Sequence, residues 1–497
     1  MPLTRLLDQL DESRRRFSLA EAPRTVRLIR RLAETRFHAS AALVRYHELL
    51  LFIRAYPVNA EVATLADEEL SGIAPSVALL SDAYPLEEPE VSGIAGSGLT
   101  AVFSADLARD LLRRHRDAIS IHWEAWEHPE RLGLLLPALF PLCLDDLSVE
   151  AGIPYREWLE AVGGLAALSR CTAGQYDALE MPLRWEFNPE ATRSLMRLDA
   201  RPIFYHRQPL ISRHQVSLDS IPSTPDLPCR KLTSKRGSEI IALARDTSAV
   251  RYRELHGFTY GDPAFVYEVY AGRGVLLYIW GVPPESRLPL RVYHAAAIWK
   301  NGVPVGYFEG LSLAGRMEAG FNLYYTFRDG ETAWLYGQVL KTFHQLVGVT
   351  CFVLDPYQLG HHNEEAIQSG AFWFYRKLGF HSTNAGVREL TGREEKKIAA
   401  DPSYRVPART LRKLVCDRMI YGFPGSPVAD WYGFETRRLG MAVARRGGWT
   451  PRQLKLLAPF FEAKQAPEEI GCLRILQTNS ALRAEILRLG KTRPLSE

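Results

Sequence analysis

Ala371-Phe372-Trp373-Phe374-Tyr375-Arg376-Lys377-Leu378-Gly379-Phe380 closes a helix expected over roughly 363 to 378 and opens a strand at Phe380, with Gly379 between them. Upstream lies the near-continuous apolar run Val349-Thr350-Cys351-Phe352-Val353-Leu354, which predicts a strand whose neighbours cover both faces. Before that, Leu335, Val339, Phe343 and Val347 recur at i+4 and predict a helix. Further back, strand-like runs cover 264–270, 274–279, 291–299, 303–313 and 321–327. Trp299-Lys300-Asn301-Gly302-Val303 joins two of these, and Asn-Gly accepts the positive φ angles of a type I′ hairpin turn.

The order hairpin, strand, loop, helix, buried strand, helix, strand across 290–382 resembles the fold of the GNAT superfamily of acyl-CoA-dependent N-acyltransferases. The resemblance is most specific where Ala371, Phe374, Tyr375, Lys377, Gly379 and Phe380 match the family's A-x-x-F-Y-x-K-x-G-F pattern. It implies that this helix flanks the thioester arm of acyl-CoA, acetyl-CoA or a longer acyl-CoA being the co-substrate, and that Tyr375 protonates the departing thiolate. The plain alternative for Tyr375 is an aromatic ring packed under its helix. The resemblance also implies a diphosphate-binding loop at Arg328, Asp329, Gly330, Glu331, Thr332 and Ala333, where backbone N–H groups and a helix N-terminus cradle the anion.

Two features depart from the family pattern. The loop carries Asp329 and Glu331, with Gly330 one place early; carboxylates beside a diphosphate repel it, while the same residues suit a helix N-terminus as caps. Asn363 precedes Ala371 as though five residues had been inserted. Either Asn363 does another job on a longer loop, or a helix begins earlier and breaks at Gly370. The base that takes the amine proton is expected from Glu309, Asp355, His361 or His362, with Glu309 the candidate on the hairpin strand. His361-His362-Asn363-Glu364-Glu365 and His122 to His128 lack the i, i+4 histidine pair of a zinc helix, so no metal is expected. Gly93-Ile94-Ala95-Gly96-Ser97-Gly98 reads as a turn, since no convincing strand precedes it.

The remainder of the 497 residues sets the context. Residues 1–235 read as a mostly helical N-terminal region, with helices over 24–56, 59–81, 105–118 and 129–165 and short β-rich pieces such as 118–123. A segment with Pro222, Pro225 and Pro228 leads to a GNAT-like domain at 236–385, and 386–497 forms a helical, basic C-terminal region with helices over 389–400, 407–419, 430–446, 451–463 and 467–490. The expected class is α+β multi-domain, with a central mixed sheet flanked by helices. Residues 384–497 carry 21 Lys/Arg against 12 Asp/Glu, net +9 within an overall +4; solvated amphipathic helices account for such a bias, and nucleic-acid binding is not inferred from it.

Six scattered cysteines without a C-x-x-C pair fit a reducing cytoplasm, and Cys351 in its apolar run reads as a buried thiol. The longest greasy run, 132–144, is interrupted by Pro137 and Pro141, so no membrane insertion is expected. The function expected is direct acyl transfer from acyl-CoA to an amine on a small molecule or a protein. The competing expectation is a non-catalytic GNAT-like scaffold with a degenerate CoA loop. A third, an aminoacyl-tRNA donor, would need a second copy of the fold, against which the helical N-terminal region argues.

Overall fold

A computed structural model describes residues 2–139, 150–187, 191–199, 202–445, 450–463, 468–469 and 479–491. The chain divides into two compact units, one of Met1–Gln208, Ala242–Thr259 and Gly302–Pro304, the other of Pro209–Ile241, Tyr260–Asn301 and Val305–Glu497.

The first unit contains helices Leu3–Arg14, Ala22–Ala33, Ser40–Ala55 and Ala60–Ser71, followed by a three-stranded antiparallel sheet. Its strands are β1 (Gly98–Val102), β2 (Ile119–Ile121) and β3 (Pro182–Glu186), ordered β1-β3-β2. The single helix expected over 24–56 is two, because the chain leaves the helical path between Ala33 and Ser40. Helix Ala105–His115 is capped by the Ser104 hydroxyl, and its Leu107 and Leu111 join Leu99, Leu183 and Trp185 in the core. Of the helices expected near 129–165, 140–149 lies outside the described residues; helices stand at Leu136–Leu139 and Tyr155–Ala161.

The second unit is built on a nine-stranded mixed sheet. Its strands are β4 (Cys229–Lys231), β5 (Tyr267–Gly272), β6 (Val275–Trp280), β7 (Val292–Lys300), β8 (Val303–Leu313), β9 (Arg316–Leu323), β10 (Cys351–Leu354), β11 (His381–Ser382) and β12 (Met419–Gly422). Their spatial order is β11-β12-β10-β9-β8-β7-β6-β5-β4. Asn301 and Gly302 both have positive φ, 49° and 79°, as the expected hairpin turn between β7 and β8 requires.

Two expectations are corrected. β9 was expected over 321–327 but spans Arg316–Leu323, because a second tight turn at Ala314 (φ 45°) and Gly315 (φ 85°) starts it earlier. A helix was expected over 407–419; it ends at Leu414, and Met419–Gly422 instead enters the sheet between β10 and β11, antiparallel to both. The stretch expected to form a wholly helical C-terminal region thus supplies an interior strand. Part of the helix expected over 467–490 lies outside the described residues, and the described part is Ser480–Lys491.

β9 and β10 run parallel, and the pairing covers only Arg316–Glu318 against Cys351–Val353, whereas β9 continues to Leu323. The connection between them is the 16-residue helix Thr332–Val347. Phe343 of that helix meets Phe308 at 4.9 Å between ring centres, and Tyr336 meets Phe321 at 5.0 Å, fixing the helix against one face of β8 and β9. Among the described residues no helix is long and apolar enough to cross a membrane.

Candidate active site

Where β9 runs on past its pairing with β10, the sheet opens into a cavity of about 290 Å³. Phe321 and Leu323 of β9 form one side, Arg328 and Thr332 the approach to the long helix, and Gln358, Asn363 and Tyr375 the other side. Tyr375 is therefore on the cavity wall.

The helices after β10 explain how Tyr375 gets there. Asn363 accepts a hydrogen bond from the Ala366 N–H at 3.2 Å and caps a short helix, Glu364–Ser369. Gly370, at φ 73°, ends that helix in the left-handed region, and Ala371–Arg376 begins immediately. Of the two sequence alternatives, a helix that begins earlier and breaks at Gly370 is the one observed, and the cap is the job of Asn363. The single helix expected over 363–378 is thus two. Gly379 is also constrained, since its φ is 103° and a Cβ there would lie 3.3 Å from the Tyr421 ring of β12. Phe380 is buried between Tyr375 and Tyr421, at 5.8 and 5.4 Å.

Burial pushes the Tyr375 phenol well above its ordinary value, so it remains protonated across the neutral range. Tyr336 packs against it edge-on at 5.5 Å and is pushed up in the same way, by burial first and the neighbouring phenol second; its hydroxyl is buried without a hydrogen-bond partner.

The loop Arg328 to Ala333 departs from its expected electrostatics. Glu331 does not face the cavity. It is 1 % exposed, and its carboxylate accepts from Arg273 Nη2 at 2.5 Å, from Arg273 Nε at 3.2 Å and from the Ile211 N–H at 3.1 Å. Lys300 Nζ lies 3.8 Å away and donates to the Arg273 carbonyl. Burial lowers the Lys300 ammonium to about 7, against the attraction of Glu331. Lys300 and Arg273 were not singled out from sequence; Lys300, which leads into the Asn301-Gly302 turn, is fully buried.

With Glu331 turned inward, no side chain caps the helix Thr332–Val347. Its first turn, with Thr332 and Ala333, keeps the positive end of the helix dipole for another acceptor, while the Thr332 hydroxyl donates back to the Arg328 carbonyl at 2.9 Å. Asp329 is exposed and Gly330 bonds to Phe327 through its N–H. Arg328 forms an ion pair with Glu365 at 2.7 Å, two cavity-lining residues joined across the opening.

The proton acceptors expected from sequence separate. Glu309 lies on β8 opposite Gly320, accepts from the Tyr293 hydroxyl and does not line the cavity. Asp355 caps Pro356–Leu359 through the Tyr357 N–H at 2.9 Å. His361 and His362 face one another at 4.1 Å on the following turn. The polar cavity residues not named as site candidates from the sequence are Asn322, Gln358, Glu365 and Ser369; the displaced Asn363 was a local signal, since it marks the extra helical turn that carries two of them. Cys351 is buried in β10 with its thiol pushed up to about 12 by burial, which makes it inert at neutral pH.

In comparisons with family models, curated proteins and solved structures, none matches this chain.

Proposed function

We propose that the protein is a GNAT-type N-acyltransferase that moves an acyl group from acyl-CoA to an amine by direct attack. One observation carries this reading: the cavity beside the parted strands β9 and β10 joins a protonated Tyr375 to the uncapped N-terminus of a 16-residue helix. The site residues fit the co-substrate. Thr332 and Ala333 would hold the diphosphate through first-turn N–H groups, and the Arg273 guanidinium removes the repulsion that Glu331 would otherwise exert.

Acyl-CoA supplies an activated carbonyl. The amine nitrogen forms a bond to that carbonyl carbon, the C–S bond breaks, and the departing sulfur takes the phenolic proton of Tyr375. The nitrogen loses one proton to solvent and the Tyr375 phenolate takes one back from solvent, so an amide and a free thiol are the products and Tyr375 is restored. The acceptor amine belongs to a small molecule or a protein, and a cytoplasmic location is part of the same proposal.

Calorimetric titration of the full chain with acetyl-CoA tests the reading. Saturable binding at one site supports it; no binding up to high micromolar concentration sinks it. The second reading, a non-catalytic scaffold on the same fold, is favoured by the Arg328–Glu365 ion pair, which occupies a guanidinium that lines the cavity. It would be adopted on the negative titration.

A further inference from the structure

The first unit has a cavity of its own, of about 370 Å³, unrelated to the acyl-transfer reading. That volume falls in the range of small-molecule sites, roughly 300–1,000 Å³. Arg109 and Arg113 project from helix Ala105–His115 one turn apart, and Arg116 follows at the next turn, so three guanidinium groups line one wall. Leu112 and Leu168 are among the apolar groups that complete it.

The carboxylates nearby do not match this charge. Asp110 contacts Arg113 but is shared with Arg114 and Arg245, each at 2.6 Å, and Arg114 also holds Asp246. Arg109 lies 3.5 Å from Asp106. Arg116 is exposed and has no ion-pair partner among the described residues. A second observation points to a ligand: Tyr176 lines the same cavity, is 3 % exposed, and its hydroxyl is buried without a hydrogen-bond partner. A buried hydroxyl without a partner is costly, and an anion that displaces the side chains closing over it at the cavity wall would satisfy it.

We propose that this cavity binds a small amphipathic anion, a carboxylate or phosphate ester on an aliphatic body, with the anion held by Arg113 and Arg116 and reached by the Tyr176 hydroxyl. Guanidinium groups match both anions in a bidentate geometry, and the leucine-lined wall takes the aliphatic part.

The test is calorimetric titration of the full-length protein with octanoate, octyl phosphate, octanol and inorganic phosphate. At least one of the two amphipathic anions binds at one site per chain, at least tenfold more tightly than octanol or inorganic phosphate, and more weakly as salt is raised. The pair of substitutions Arg113→Gln and Arg116→Gln lowers that affinity at least tenfold with little change in the thermal midpoint, because both side chains are exposed and Asp110 keeps Arg114 and Arg245 as partners. Tyr176→Phe weakens binding severalfold. Which anion wins identifies the head group. Absence of saturable binding by either, equal binding of octanol, or undiminished binding in the doubly substituted protein would overturn the proposal.

Discussion

The Glu331 carboxylate, at the N-terminus of the helix Thr332–Val347, points into the protein onto the Arg273 guanidinium 2.5 Å away and leaves the cavity side of that N-terminus to its backbone. An acidic residue in this position reads in sequence as an obstacle to anion binding. In the fold it anchors the loop from beneath, held by Arg273 and the Ile211 N–H, and its charge is turned away from the cavity. Substituting Glu331→Gln strands Arg273 and the buried Lys300, and should cost about 3 kcal/mol of stability. The double change Glu331→Met with Arg273→Met should recover most of that loss, because paired removal leaves no uncompensated charge beyond Lys300. Denaturant unfolding of the three proteins checks this; a Glu331→Gln protein as stable as the parent would show that the pair is not an anchor.

Lys300 ties stability to pH. Its folded value of about 7 lies below the ordinary lysine value near 10.5, so between these limits the unfolded chain carries a proton that the folded chain does not. Stability therefore rises with pH through this window from this group, by up to about 1.4 kcal/mol per pH unit, and the full cost of burying the charge is felt below the folded value. Lys300→Met should flatten the slope between pH 7 and 10 relative to the parent. Thermal midpoints measured across that range test it, and parallel curves for the two proteins would contradict it.

If Tyr375 is the proton donor to sulfur, Tyr375→Phe should lower turnover by about 10²-fold or more while acyl-CoA affinity stays within about twofold. Release of the CoA thiol, followed with a panel of amines, gives the first number and calorimetry the second. Equal losses in both would return Tyr375 to a packing role beside Tyr336 and Phe380.

The extra helical turn before the Tyr375 helix has its own stability signature. Asn363→Ala removes the cap on Glu364–Ser369 and should cost about 1 kcal/mol, with Asn363→Asp retaining most of it. Gly370→Ala should cost about 1–2 kcal/mol from its left-handed backbone alone, since no neighbouring atom lies within 4 Å of the added Cβ. Chemical denaturation midpoints decide both.

Local chemistry made part of this architecture readable. Asn301-Gly302 announced its hairpin because Asn and Gly enter positive φ at low cost. The matching turn at Ala314-Gly315 stayed hidden because alanine at φ 45° carries no such signal, and β9 was consequently read too late in the chain. β12 was missed for a different reason: four residues, Met419 to Gly422, form a strand only because β10 and β11 supply partners on both sides.

The candidate site divides along the same line. Tyr375, Gly379 and Phe380 were legible because their types and spacing reflect one helix, one turn and one buried strand start. Asn363 was visible as a displacement, though its cap and the break at Gly370 needed the backbone to resolve them.

The sequence by itself determined the order of elements from β7 to β10, since hydrophobic period and turn chemistry act over a few residues. Tertiary structure alone decided which way Glu331 faces, that Lys300 is buried beneath it, and that β9 outruns its pairing with β10 to open the cavity lined by Tyr375. Charge in a loop has no fixed sign of effect until its partners are known. Arg273 and Ile211, far from Glu331 along the chain, are brought to it by the folded sheet unit.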